Sequence, residues 1–287
     1  MQGKDEALLY KFKNADATEL LSARYVAQKF PKHYHETYCI GILEEGAEVL
    51  SFGENDLVVT ANSIIAINPY DVHENYALDR FGWKYKMMYI NSDLMGYAAA
   101  CLGNRFAAKI NFTQAVFEDI AIFNSISQLY HQVENKQEAT TEAWLIETLQ
   151  KLIIGYGKST KPDFEPDKHT QEIKAFLDVN FEAKFELNQL AQQFKTDKYK
   201  LIRQFKKHTG LTPLSYVLLQ RTNKAKTLIA QGESISQTAL ETGFYDQSHF
   251  DRYFKKYVGV TPVSYQKTCN IFKIERIMAF NFAKINH

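Results

Sequence analysis

Two stretches decide the reading of this chain: Phe205–Tyr216, FKKHTGLTPLSY, and Phe254–Tyr265, FKKYVGVTPVSY. The second begins 49 residues after the first, and eight of the twelve positions are identical. A period near fifty marks two copies of one supersecondary unit. In each copy a basic, partly apolar run ends at a glycine, Gly210 or Gly259, the residue suited to a left-handed helix stop. Thr212-Pro213 and Thr261-Pro262 follow, an N-cap with proline at the first helical position. Each copy is therefore predicted as helix, tight stop, helix.

Working outward from the first copy, Leu187–Phe194 forms a short helical pattern. Lys195-Thr196-Asp197 makes a turn, and Asp197 caps a helix over Lys198–His208. Helix, tight turn, helix is the plan in which the second helix enters the DNA major groove. Leu201 and Phe205, four apart, face inward; Lys198, Tyr199, Ile202, Arg203 and Lys206 lie toward a possible duplex. The second unit repeats this. Ser234 caps Ile235–Thr242, Gly243 turns, and Asp246 caps Gln247–Tyr257. Phe250 and Phe254 face inward, and Gln247, Ser248, Asp251, Arg252 and Lys255 face out. Arginine can fork onto guanine and glutamine onto adenine, while Lys206, Lys207, Lys255 and Lys256 can reach phosphates. A helix over Pro213–Ala230 spaces the units, and His169–Phe181 precedes them. One such turn is weak evidence; two with matching Gly-Thr-Pro stops set a plain helical bundle aside.

Charge supports the division. The chain of 287 residues has a net charge of +1, but residues 1–160 carry 14 Lys and Arg against 20 Asp and Glu, and residues 161–287 carry 20 against 13. An acidic half joined to a basic half directs any polyanion to the second. Cys39, Cys101 and Cys269 make neither a disulfide framework nor a zinc pattern. No signal peptide or apolar run of spanning length is evident, so a cytoplasmic protein is expected. No nucleotide-binding loop, dinucleotide fingerprint or catalytic triad points to an enzyme, and no cofactor is expected.

The front half changes register. Residues 1–25 carry little signal. Thr37–Leu43 reads as a strand ending in a turn at Glu44-Glu45-Gly46. Ala47–Phe52, Leu57–Thr60, Ser63–Ile67 and Trp83–Ile90 follow, with Trp83, Tyr85, Met87 and Tyr89 on one face. Strands at this spacing predict a small barrel or sandwich. Phe112–Val133 (Val116, Ile120, Phe123, Ile126, Tyr130) and Thr141–Tyr156 (Trp144, Leu145, Leu149, Leu152, Ile153) then read as an amphipathic helical hairpin. Its apolar stripe either packs on the barrel or forms a dimer seam. Gly157–Lys168, with two prolines and many charges, reads as a linker.

The stretch Leu187–Gln266 resembles the AraC/XylS family of bacterial transcription regulators. The residues that carry this include Leu190-Ala191, Leu201, Arg203, Phe205-Lys206, Gly210, Pro213, Tyr216, Arg221, Ala225, Ile235, Ala239, Gly243-Phe244, Gln247-Ser248-His249-Phe250, Arg252, Phe254-Lys255, Gly259, Thr261-Pro262 and Tyr265. The resemblance implies base-facing roles for Tyr199, Ile202, Arg203, Gln247, Ser248 and Arg252; Ile202 departs from the polar side chain commoner there. His33-Tyr34-His35, Tyr38, Ile40-Gly41, Gly46, Ile67-Asn68-Pro69, Val72-His73-Glu74 and Gly82–Tyr89 are similar to the family's cupin barrel, in which relatives take a small molecule such as a sugar. The expected architecture is multidomain: an all-β cupin-like barrel (1–110) with a helical hairpin (111–157), a linker (158–168), an all-α domain of two helix-turn-helix units (169–268), and an extension (269–287) packed as a helix on the DNA half.

The expected function is sequence-specific regulation of transcription under a small-molecule effector. The partners are double-stranded DNA, the effector, a second copy of the chain and, as a further candidate, RNA polymerase; no membrane is involved. His33, His35, Tyr38, His73, Asn75, Trp83 and Tyr85 are the candidate effector residues, since aromatic faces stack on C–H surfaces and polar groups orient a ligand. Glu45, at the rim, would disfavour anionic effectors if it faced them. The alternative is a metal-dependent cupin enzyme with an accessory helical domain. Three imidazoles can hold Zn²⁺ or Fe²⁺ with an open position, but the carboxylate that metal cupins place shortly after the H-x-H pair is missing: Cys39 and Ile40 stand there. Effector hydrogen-bonding and plain barrel histidines remain open beside metal.

Overall fold

A computed structural model describes residues 5–11, 18–103, 109–159 and 168–269. Its element order is β1 (Glu6–Lys11), β2 (Glu19–Tyr25), β3 (Lys29–His33), β4 (Tyr38–Phe52), β5 (Asn55–Thr60), β6 (Ile64–Ile67), β7 (His73–Ala77), β8 (Trp83–Ile90), α1 (Ser92–Ala100), β9 (Ile110–Phe112), β10 (Val116–Phe117), α2 (Ile120–Glu134), α3 (Glu138–Tyr156) and β11 (Gly157–Ser159). The helical half follows: α4 (Lys168–Asn180), α5 (Leu187–Gln193), α6 (Lys198–Thr209), α7 (Pro213–Ala230), α8 (Ile235–Glu241), α9 (Gln247–Val258) and α10 (Pro262–Cys269).

The barrel hangs on β4. Its first half pairs antiparallel with β6 and β8, and its second half with β5 and β7. The expected turn at Glu44-Glu45-Gly46 is instead a register shift inside one 15-residue strand. Gly46 takes φ 76°, and a Cβ there would lie 2.0 Å from the Gly82 carbonyl oxygen, so only glycine permits the bend that carries the strand between its partners. Glu45 lies outside the barrel, paired with Arg24 and with Lys84. It therefore does not face a ligand.

Residues 6–11 and 19–25, silent in sequence, are the antiparallel pair β1–β2, and β2 also pairs with β8. The strand β8 has the expected bounds and alternation. Trp83, Tyr85 and Met87 enter the barrel core, and Met88 and Ile90 enter a second core beneath the helices. That second core is where the hairpin packs: Ile126, Leu129, Tyr130, Leu145, Leu149, Leu152 and Ile153 are fully buried against Leu20, Ile40 and Ile64. The first hairpin helix begins later than the spacing suggests. Asp119 caps it through the amides of Ala121 and Ile122; Phe112 and Val116 are strand residues, and Ile120 is 71% exposed. At the far end Lys158 and Ser159, expected in the linker, pair with Asn111 and Ile110.

The helical half follows its local signals closely. Asp197, Thr212, Ser234 and Asp246 each accept backbone amides of the helix they open. Gly210 and Gly259 stop α6 and α9 at φ 74° and 85°. Leu201, Phe205, Phe250 and Phe254 are fully buried. Arg221 of α7, itself buried, donates to the carbonyls of Phe181 and Ala183 at 2.7 and 2.8 Å, holding the segment before α5. The expected extension helix beyond residue 269 lies outside the described residues.

The two halves share one core, in which Tyr25, Phe30 and Tyr34 of the barrel side join Tyr216, Phe254 and Tyr257. A Cβ on Gly259 would lie 2.2 Å from the Tyr25 hydroxyl, so the stop of α9 rests directly on the barrel. Gln220 donates to the Tyr34 hydroxyl at 2.8 Å. Beside it Glu19, buried, accepts from Lys226 at 2.8 Å and Tyr265 at 2.6 Å and pairs with Lys11 at 2.9 Å. Burial raises the Glu19 pKa, but the two ammonium groups and these hydrogen bonds prevail and hold it down at about 2.

Candidate effector cavity and nucleic-acid interface

The cavity lies inside the barrel, and its polar side begins with a cross-strand pair. His33 ends β3 and His73 opens β7, directly opposite each other in the ladder. Their ring centroids are 4.4 Å apart. His35 follows in the loop, its Nε2 3.1 Å from Nε2 of His33. Around them stand Cys39, Glu48, Asn75, Tyr85 and Tyr89, with Phe30, Leu50, Ile65, Ile67 and Met87 apolar. Tyr257 of α9 also lines the cavity. The space open to water there is about 30 Å³, room for an ion or about two waters. A second cavity, against His33, His35 and Tyr89, is walled by Leu219, Thr222, Asn223 and Lys226 of α7.

Burial sets the charges here. It drives the His33 pKa down to about 3, with His73 beside it, and the His73 pKa down to about 4. It also drives His35 well below the ordinary range. All three are neutral at pH 7. Burial pushes Glu48 up to about 7, against the opposing hydrogen bond that its carboxylate accepts from Asn75 at 2.7 Å. A carboxyl that holds its proton in the folded chain and loses it in the unfolded chain costs stability as pH rises between the two pKa values. Glu48→Gln is therefore expected to gain about 3 kcal/mol on the wild type between pH 4.5 and 7. The histidines act with opposite sign below pH 6.5, so the test is the difference between variant and wild type in urea unfolding at several pH values. A constant difference would refute the Glu48 assignment.

Of the expected effector residues, His33, His35, His73, Asn75 and Tyr85 come together on this wall. Tyr38 and Trp83 do not. Tyr38 points to the opposite face of β4, into the second core, where its hydroxyl donates to the Ile110 carbonyl at 2.6 Å. Trp83 is wholly buried among Tyr25 and Tyr85, behind the cavity wall. Tyr38 shares its face with Ile40 and Ile42, while Cys39 beside it turns to the cavity; for Trp83, the β-period fixes a face but not the depth at which a barrel is filled.

On the other half, α6 exposes Tyr199, Arg203 and Lys206 and leaves Lys198 and Ile202 half-buried; the Lys198 ammonium lies 5.1 Å from the Tyr199 ring. The helix α9 exposes Gln247, Ser248, Arg252 and Lys255. Asp251 departs from its expected outward place. It is half-buried, with one carboxyl oxygen enclosed and no hydrogen-bond partner among the described residues, and burial raises its pKa. Arg252 lies over the Tyr253 ring, 5.2 Å from its centroid.

The domain arrangement has counterparts. The family model described as AraC-like ligand binding domain matches residues 17–149, and the one described as helix-turn-helix domain matches residues 190–268. The HTH-type transcriptional regulator YbfI of Bacillus subtilis is 31% identical over 229 residues, spanning 78% of this chain and 82% of its own. This chain belongs to the AraC family of transcriptional regulators. The HTH-type transcriptional activator RhaS of Escherichia coli is 23% identical across 83% of this chain and 88% of its own. Apo ToxT of Vibrio cholerae shares the fold with a TM-score of 0.52 at 16% identity, covering 93% of this chain and 98% of that one.

As an AraC-type regulator the chain pairs a ligand-binding domain with a DNA-binding helix-turn-helix domain. No helix among the described residues is long and apolar enough to cross a membrane. Sequence reading missed Glu48, Cys39, Tyr89 and Tyr257 in the cavity. Glu48 had a local signal, since it lies two residues before Leu50 on the barrel-facing side of β4. Tyr257 had none, because its place depends on how the halves dock.

Proposed function

We propose that this AraC-type regulator reads a bipartite operator with α6 and α9 and couples that reading to a small molecule held in the barrel. Arg203 of α6, with Gln247 and Arg252 of α9, reads bases; Tyr199, Ile202 and Ser248 add contacts, and Lys198, Lys206 and Lys255 grip phosphates. His33, His35, His73, Asn75 and Tyr85 form the effector wall. The observation that carries the coupling is Tyr257. It sits on the same helix as Arg252 and lines the cavity. An effector that touches Tyr257 can favour an arrangement in which this helix has moved, and its preference between arrangements is its leverage on DNA.

The active species is a homodimer joined through the outer face of the α2–α3 hairpin, where Ile120 and Ile154 are 71% and 65% exposed. It acts in the cytoplasm, where it also meets RNA polymerase. Selection of binding sites from a random duplex library tests the reading. The expected product holds two short motifs separated by about one helical turn, 10–10.5 base pairs. A single motif, or no enrichment, would overturn it.

A further inference from the structure

We infer that His33, His35 and His73 form a binding site for one divalent transition-metal ion of the Zn²⁺ type, making the barrel a metal-responsive sensor. Backbone partners fix the tautomers of two of the histidines. Nδ1 of His33 lies 2.7 Å from the Pro31 carbonyl and Nδ1 of His73 lies 2.9 Å from the Asp71 carbonyl. A carbonyl only accepts, so each Nδ1 carries the proton and each Nε2 is left with a lone pair. This is the support that metal-ligating imidazoles use, with the far nitrogen donating to a fixed acceptor. The third histidine completes the set, since one ligating nitrogen from each lies within 4.8 Å of the others.

Ions held at about 2.0–2.1 Å in tetrahedral geometry place neighbouring nitrogens about 3.3 Å apart. Nε2 of His33 and of His35 are 3.1 Å apart, in a hydrogen bond that His35 donates and whose proton the ion would displace. The ligating nitrogens all lie within 4.8 Å of one another, so the set closes on the ion by about 1.5 Å at most. The cavity of about 30 Å³ accepts an ion. Three neutral imidazoles suit Zn²⁺, Co²⁺ and their neighbours rather than Mg²⁺ or Ca²⁺, which prefer oxygen. Three protein ligands leave a fourth position for water or a small ligand. His33 and His35 also wall the cavity shared with Leu219 and Lys226 of α7. An ion that draws the imidazoles together therefore acts on the surface where the DNA-binding half docks.

The test does not involve DNA, so its outcome is separate from that of operator binding. Full-length protein, stripped with chelator, is titrated with Zn²⁺ alone and with Co²⁺ alone. One ion per chain is expected, and Co²⁺ should give the intense visible bands of a four-coordinate site. His33→Ala and His73→Ala should each weaken binding by about 100-fold or more, while His131→Ala, exposed on α2, should not. Should the two buried variants fail to fold, His35→Gln, on a partly exposed loop residue, serves the same purpose. Absence of binding to the wild type, a weak six-coordinate Co²⁺ spectrum, or binding unchanged in the folded histidine variants would each overturn the site.

Discussion

Replacing Arg203 and Arg252 together by alanine is expected to weaken binding to the selected operator by about 2–6 kcal/mol, roughly 30-fold to 20,000-fold. Each arginine that forks onto a base edge contributes about 1–3 kcal/mol of discrimination. They lie on separate helices, α6 and α9, in separate helix-turn-helix units, so their effects should add. The fold should not suffer, because both side chains are exposed and the inward residues of the same helices, Leu201, Phe205, Phe250 and Phe254, are untouched. Binding to random duplex at low salt should persist, since Lys206, Lys207, Lys255 and Lys256 remain to contact phosphates. Titration of operator and random duplex by anisotropy at two salt concentrations separates the outcomes. Equal loss on both duplexes would show that the arginines contact phosphate rather than bases. No loss on either would place the reading surface elsewhere.

The helical half was legible because each decision there is local. Asp197, Thr212, Ser234 and Asp246 cap helices through amides two or three residues away, and Gly210 and Gly259 adopt their left-handed turns within the same short stretches. The barrel was legible only where one strand face meets one core. In β2, Leu20 enters the second core while its neighbour Leu21 enters the first. With both faces buried, the alternation that marks a strand is erased. In β4 the Glu44-Glu45-Gly46 run has the composition of a turn, yet the bend stays inside the ladder because Lys84 and Lys86 on β8 answer Glu44 at 3.0 and 3.1 Å. The same logic explains the site. The histidines could be named from their spacing and resemblance, whereas the place of Tyr257 in the cavity lining arises from contacts between residues far apart in the chain.

Docking of the two halves rests on a buried charge, and its removal should be the most damaging single change to their association. Glu19 has an almost fully buried side chain, 6% exposed, and Lys226 of α7 reaches it across the interface with 28% exposure. Replacing Lys226 by alanine leaves that carboxylate with Lys11 on its own domain and the Tyr265 hydroxyl. Breaking a buried pair by removing one partner costs about 3–5 kcal/mol, and the remaining partners put this case near 3. Because the lost contact joins the halves, the expected result is earlier melting of the helical half, read by thermal unfolding. Lys226→Met with Glu19→Gln removes both charges and should recover much of the loss, since no bare carboxylate then remains buried. A double-mutant cycle on these two positions reads the coupling directly. Additive losses would mean that Glu19 and Lys226 act independently. In that case the close packing of Gly259 on Tyr25 and Phe30 would carry the docking.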